Sequence, residues 1–371
     1  MSKLFDKANS IGFETKNRFV RAATWECYAD EKGHMTDILY NIYKKLAQNE
    51  VGLTITGYAN ILEEEKPNSG MMGMYSDEFI EEYRKLTDMC HRYGNKIVMQ
   101  LAYGGTKTTY NVGERVIYAP SAVAERSTGT IGKEMNKDEI NYVVKAFANA
   151  ARRVKESGFD GVEIHGAHTY LINQFLSPYY NRRIDEYGGN FENRCRFLKE
   201  IYREVRKSVG DDFPIIVKLT ATEFFDGGLT FEDTKKICLM LEKLGVNALE
   251  ISGNVHGKAK TMVGQEFDGY TIEKEGYFIN FAKEIKKIVN IPIITVGGFE
   301  TLAGIEKRHE ETEIDYFGIS RPLLSEPTLI KEWKENNQRK MRCVRCSKCR
   351  TKEGNYCTVF DKDFNTEIRR G

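Results

Sequence analysis

Two histidines three residues apart and a tyrosine two residues further on, His165-Gly-Ala-His168-Thr-Tyr170, are the residues of this chain best suited to chemistry. They close an apolar run, Gly161-Val-Glu-Ile-His165, that reads as a buried strand. Imidazoles at a strand end can donate hydrogen bonds to a substrate oxygen, and a nearby phenol can deliver a proton. Two other readings fit the same residues. The histidines could be a satisfied structural pair, or they could bind a metal with Glu163, which lies two residues from His165 on the same side of the strand. Zinc or iron would need further ligands from other strand ends.

The elements that must position these side chains alternate regularly. Short apolar or β-branched runs at 17–24, 52–58, 96–101, 161–165, 214–219, 247–252, 291–296 and 315–320 read as strands buried on both faces. Amphipathic segments at 36–49, 77–93, 137–157, 190–209, 230–244 and 275–289 read as helices. Asp77 and Thr230 are the expected N-caps, and Gly94, Gly158, Gly210 and Gly245 stand where C-caps belong. Eight such units imply a (β/α)₈ TIM barrel. A doubly wound sheet is the alternative, but no glycine-rich dinucleotide fingerprint follows the first strand, which ends in Ala22-Ala23-Thr24.

A barrel requires its chemistry at the C-terminal strand ends and a phosphate site after strands seven and eight. Those ends carry Thr24, Tyr58, Gln100, His165, Lys218, Ser252-Gly253, Gly297-Gly298 and Ser320-Arg321. Glycines let backbone N–H groups approach a phosphate, and arginine adds a fork of donors. The remaining ends offer Thr, Tyr, Gln and Lys rather than metal ligands, and Lys218 would repel a dication. Gln100 and Lys218 suit the edge of a planar heterocycle such as a flavin pyrimidine. Two long excursions, 102–136 and 254–274, follow strand C-termini and are candidates for a lid or substrate wall.

Charge and composition bound the partners. The chain has 371 residues and a formal net charge of +1, from 55 basic and 54 acidic residues, so it has no field to attract nucleic acid or an anionic membrane. The start, MSKLFDKANS, has no signal-peptide pattern, and no apolar run approaches the roughly 20 residues that span a bilayer. A cytoplasmic protein is expected, with a homo-oligomer as its assembly.

Taken together, the motifs resemble the Old Yellow Enzyme family, the FMN-dependent ene-reductases and NADH:flavin oxidoreductases. His165 to Pro178 is similar to the family's active-site segment, and Asn181-Arg-Arg-Ile-Asp185-Glu-Tyr187-Gly-Gly189-Asn-Phe-Glu-Asn193-Arg194 to its longest motif. Asn17-Arg18-Phe-Val, Gln100-Leu101, Lys218-Leu219, Val296-Gly-Gly298 and Gly318-Ile-Ser-Arg321-Pro follow in the family's order. The resemblance implies FMN across the top of the barrel, with NADH or NADPH as reductant. It implies that Ala23, Thr24, Gly57 and Tyr58 line the isoalloxazine and that Gln100 and Lys218 contact its pyrimidine side. Gly297, Gly298, Ser320 and Arg321 would cradle the phosphate. His165 and His168 would hold the oxygen of an α,β-unsaturated carbonyl or related electrophilic alkene, with Tyr170 as proton donor.

The chain also departs from the family pattern. Trp25 falls where many relatives carry a small Thr or Cys, so that either Thr24 takes that place or the tryptophan packs near the substrate pocket. Tyr103 replaces a common histidine, and Lys218 stands where arginine is frequent. After a barrel expected over 1–338 comes a Cys-rich tail, 339–371, containing Cys343, Cys346, Cys349 and Cys357. Their spacing resembles the cluster region of the dienoyl-CoA reductase branch, which implies a [4Fe–4S] site; zinc or free thiols fit it too. With the sequence ending fourteen residues after Cys357, no second flavin domain is expected. The competing functions are a flavin- or thiol-based redox sensor with little turnover and a metal-dependent barrel hydrolase.

Overall fold

A computed structural model describes residues 2–253 and 259–360. Eight parallel strands form its centre: β1 (Phe19–Arg21), β2 (Leu53–Ile55), β3 (Lys96–Ala102), β4 (Gly161–Gly166), β5 (Ile215–Thr220), β6 (Ala248–Ser252), β7 (Ile293–Val296) and β8 (Tyr316–Ile319). Each pairs with the next, and β8 pairs with β1, so the sheet closes into the expected barrel.

The inward positions separate into layers because side chains alternate along a strand. The lower layer is apolar: Val20, Leu53, Ile55, Val98, Ile216, Ala248, Ile294 and Tyr316 form one buried cluster with Ala8 and Ile11 from the N-terminal segment. Two residues further along β3 to β6 stand Gln100, Glu163, Lys218 and Glu250, which are all buried. Register joins them, with Glu163 opposite Gln100 and Lys218 opposite Glu250. The next inward step reaches His165 and Ser252 at the barrel mouth.

Helices α1 (Asp37–Gln48), α2 (Phe79–Arg92), α3 (Lys137–Glu156), α4 (Arg196–Val209), α5 (Phe231–Leu244), α6 (Ile279–Lys286) and α7 (Leu302–Thr312) cover the outside. Thr230 caps α5 as expected, accepting from Asp233 N, and Gly245 ends it in the left-handed conformation. Three expectations need correction. Asp77 does not cap α2; its carboxylate is held by Arg152 and Arg153, and Glu78 occupies the cap position without a side-chain bond. The segment 190–209 is a short helix, Phe191–Arg194, followed by α4, with Cys195 between them. The segment 275–289 becomes helical only at Ile279, because Glu275 instead accepts from the backbone N–H groups of Glu300 and Thr301. Of the two excursions, 102–136 contains a small parallel pair, Tyr118–Ala119 with Lys133–Glu134, and the first five residues of 254–274 lie outside the described residues.

The C-terminal segment crosses the barrel mouth. Asn355 donates through its backbone N to Glu26 O (2.8 Å) and through Nδ2 to Trp25 O (2.5 Å). Arg345 Nη1 donates to Gly298 O (3.1 Å) and its guanidinium pairs with Glu300.

Candidate active site

The His165–Tyr170 segment bends sharply after β4. His168 and Thr169 both adopt positive φ, 61° and 64°, which costs energy for residues with a β-carbon. The short helix Leu171–Leu176 holds this turn in place. Asn173 Oδ1 accepts from Thr169 N (2.9 Å) and from Thr220 Oγ1 (3.1 Å), while Gln174 Nε2 donates to Thr169 O (2.6 Å). His168 N donates to Thr220 Oγ1 (2.9 Å).

This turn gathers the three expected catalytic side chains. The His165 ring lies 5.0 Å from that of His168 and 4.8 Å from that of Tyr170, edge-on to both. Burial holds both imidazoles well below their usual pKa; the neighbouring Lys218 charge acts in the same direction on each, as does His168 on His165. Both rings are therefore neutral at pH 7. The backbone N–H of Ala167 donates to His165 Nδ1 (3.3 Å), so the ring proton sits on Nε2, where it can be donated. His168 Nε2 is 3.0 Å from Ser252 Oγ. Burial pushes the Tyr170 phenol up to about 12, so it stays protonated.

Tyr170 packs with Tyr58, Met71, Ala102 and Trp25. Trp25 thus lies beside the candidate proton donor, stacked 6.5 Å from Tyr58, with its Nε1 donating to Ser69 O. Thr24 occupies the position facing the opposite loop, its Oγ1 2.7 Å from Ser320 Oγ.

Beside this group opens a cavity of about 400 Å³. Ala23, His168, Lys218, Gly297, Gly298, Ser320 and Arg321, all anticipated from sequence, line it. Gly297 and Gly298, both at positive φ, and Arg321 line it together with Lys218 and His168. A β-carbon on Gly298 would stand 2.8 Å from the Tyr277 ring, so glycine is what fits there. A cavity lined by glycine backbone, a guanidinium and an ammonium fits a phosphate-bearing planar group such as FMN. Gly57 and Tyr58 lie behind Thr24 and Trp25 rather than on the lining, and Gln100 lies one layer below, its Nε2 donating to Glu163 Oε2 (2.5 Å).

Several contributors have no motif to reveal them. Arg21 donates to Ser320 O (2.6 Å) and Glu26 Oε1 (3.0 Å), Tyr43 donates to Glu26 Oε2, and Gly57 N donates to Tyr43 OH (2.9 Å). This buried network ties together the loops after β1, β2 and β8. Tyr277, Phe278, Arg345, Ser347 and Cys349 also line the cavity.

The four tail cysteines are free and line one small cavity together with Arg321. Among the described residues, no group of three or more His, Cys, Asp or Glu side chains is arranged to hold a metal ion. Nor is any helix among them long and apolar enough to cross a membrane.

Residues 4–340 match the model of the NADH:flavin oxidoreductase / NADH oxidase family. The chain is 36% identical over 348 residues to an NADH oxidase of Thermoanaerobacter brockii, covering 93% of this chain and 52% of that protein. It is 35% identical to an NADPH dehydrogenase of Geobacillus, covering 87% and 91% respectively. An old yellow enzyme homologue from Zymomonas mobilis superposes with a TM-score of 0.78 at 25% identity, covering 92% of this chain and 95% of that one. The chain thus spans about half the length of the first relative and nearly all of the other two.

Proposed function

Because the chain belongs to the NADH:flavin oxidoreductase / NADH oxidase family, we propose that it is an FMN-dependent NAD(P)H oxidoreductase that reduces the C=C bond of α,β-unsaturated carbonyl or related electrophilic compounds. One observation carries this reading: two neutral imidazoles and a protonated phenol converge beside a cavity lined by Gly297, Gly298 and Arg321.

When bound, FMN supplies the redox chemistry, taking hydride from NADH or NADPH and returning it to the alkene carbon. Gly297, Gly298, Ser320 and Arg321 would hold its phosphate, Ala23 its ring and Lys218 its pyrimidine side, with Thr24, Gly57 and Tyr58 backing the ring's wall and Gln100 in the layer beneath. His165 offers Nε2–H to the substrate oxygen, and His168 supplies a second donor. Being neutral, these rings can stabilise negative charge on that oxygen without first losing a proton, and their fixed positions spare reorganisation. Tyr170 then gives its phenolic proton to the α-carbon.

We read the molecule as a barrel, residues 1–338, with an appended tail, 339–371. Cys343, Cys346, Cys349 and Cys357 share one small cavity but are not arranged to hold a metal as they stand, so a [4Fe–4S] cluster or zinc would require them to draw together. Iron, sulfide and zinc content after anaerobic purification separates these from free thiols.

The deciding measurement is an absorbance spectrum of anaerobically purified protein before and after NADH, followed by an enone. Oxidised-flavin bands that bleach with NADH and return with the enone support the proposal. A colourless protein that takes up no FMN overturns it.

A further inference from the structure

The polar layer beneath the cavity holds two carboxylates and one cation. Lys218 lines the cavity, and its ammonium forms an ion pair with Glu250, both side chains being almost completely buried. Glu163 shares this buried inward layer with Glu250 and feels its charge. Gln100 Nε2 occupies Glu163 Oε2, whereas Glu163 Oε1 and both Glu250 oxygens have no hydrogen-bond donor besides these contacts. The other titratable groups facing Lys218 are His165 and His168, both neutral.

Two ionised carboxylates buried in one layer of the barrel would repel each other, with one ammonium for two negative charges. A single proton between them resolves the conflict: it supplies the missing donor and leaves one negative charge facing one positive charge. Lys218 forms its ion pair with Glu250, which places the proton on Glu163, and burial and the Glu250 charge both push Glu163 above the ordinary carboxylate range. Burial opposes the Lys218 charge, but the ion pair with Glu250 holds the ammonium charged.

We infer that Glu163 and Glu250 form a one-proton carboxyl pair whose single negative charge cancels Lys218, and that this pair sets the reduction potential of the flavin above it. The first half stands on the layer alone, and the second rests on the flavin reading. Reduction adds negative charge to a flavin, so a free ammonium at its pyrimidine edge would favour the reduced form; a neutralised one favours it far less.

Glu163→Gln and Glu250→Gln test this in opposite ways. Glu163→Gln replaces a neutral donor with a neutral donor, so the midpoint potential of the FMN-loaded protein should stay at the wild-type value. Glu250→Gln frees the Lys218 charge and should move the potential clearly to the positive side. Equal positive shifts in both variants, or no shift in Glu250→Gln, would overturn the inference. Infrared spectroscopy of the flavin-free protein at pH 7 provides a separate readout. A buried protonated-carboxyl stretch in the wild-type minus Glu163→Gln difference spectrum supports the pair; a difference spectrum without it rules the pair out. A protein that binds no FMN but shows this band would fail the flavin reading and the tuning role while keeping the pair itself.

Discussion

At the scale of single residues, the protonation states define the reaction. His165 accepts a backbone hydrogen bond at Nδ1 and so presents Nε2–H. Removing it as His165→Ala should cost on the order of 2–4 kcal/mol in the alkene-reducing half-reaction, the range of a lost oxyanion donor. Rapid mixing of pre-reduced protein with an enone measures this; a rate within about twofold of wild type would exclude the role. The pH dependence follows from the same environment. Both imidazoles are held well below their usual range and Tyr170 is pushed up to about 12. Neither type of group therefore changes charge between about pH 7 and 10, although an ordinary tyrosine would begin to ionise near the upper limit. The alkene-reducing rate should be flat across that window, and Tyr170→Phe should lower it throughout while leaving FMN bound. The sequence made the identity and spacing of these donors legible. It could not show the Ala167 N–H that selects the tautomer, because that contact depends on how the chain turns after the strand.

At the scale of elements, the turn after β4 is strained and needs support. Asn173 is completely buried and accepts from both Thr169 N and Thr220 Oγ1. Asn173→Ala leaves a buried N–H without a partner and should destabilise the fold by about 1–3 kcal/mol. Chemical denaturation reads this loss, and the freed turn should also lower enone turnover more than FMN affinity. The eight barrel strands were readable because runs buried on both faces contain few polar residues, and the ends of β5 to β8 named much of the cavity lining. Helix starts were less readable wherever a better partner claimed the capping side chain. Asp77 is drawn to Arg152 and Arg153, which lie over seventy residues away in sequence, and Glu275 is drawn to the backbone at Glu300. Such long-range competition leaves no local mark. The Arg21–Glu26–Tyr43 network behind the cofactor loops escaped notice for the same reason.

At the scale of the whole molecule, a barrel that buries polar groups at its mouth must trade stability against pH. Glu65 is 1% exposed, and its pKa is raised from 4.5 to about 7 by burial, a shift that Arg115 only partly offsets. Its raised value means that the folded state holds a proton that the unfolded chain releases above about pH 4.3. Its contribution to stability is therefore complete in acid and is lost as the pH rises toward and through 7. A shift of this size corresponds to on the order of 3 kcal/mol between the two limits. Glu65→Gln removes this titration, so the difference in unfolding free energy between variant and wild type should move in the variant's favour from pH 5 to pH 8. Parallel stability curves for the two proteins would show that Glu65 does not titrate in this window. The same carboxyl accepts from Gly104 N (3.1 Å), and its charge bears on Tyr170 and Tyr103. It therefore links the pH dependence of the fold to the wall of the active site. Nothing in the sequence around Glu65, in the run Glu63-Glu64-Glu65, separates this buried acid from its two neighbours, because only the closed barrel decides which of the three turns inward.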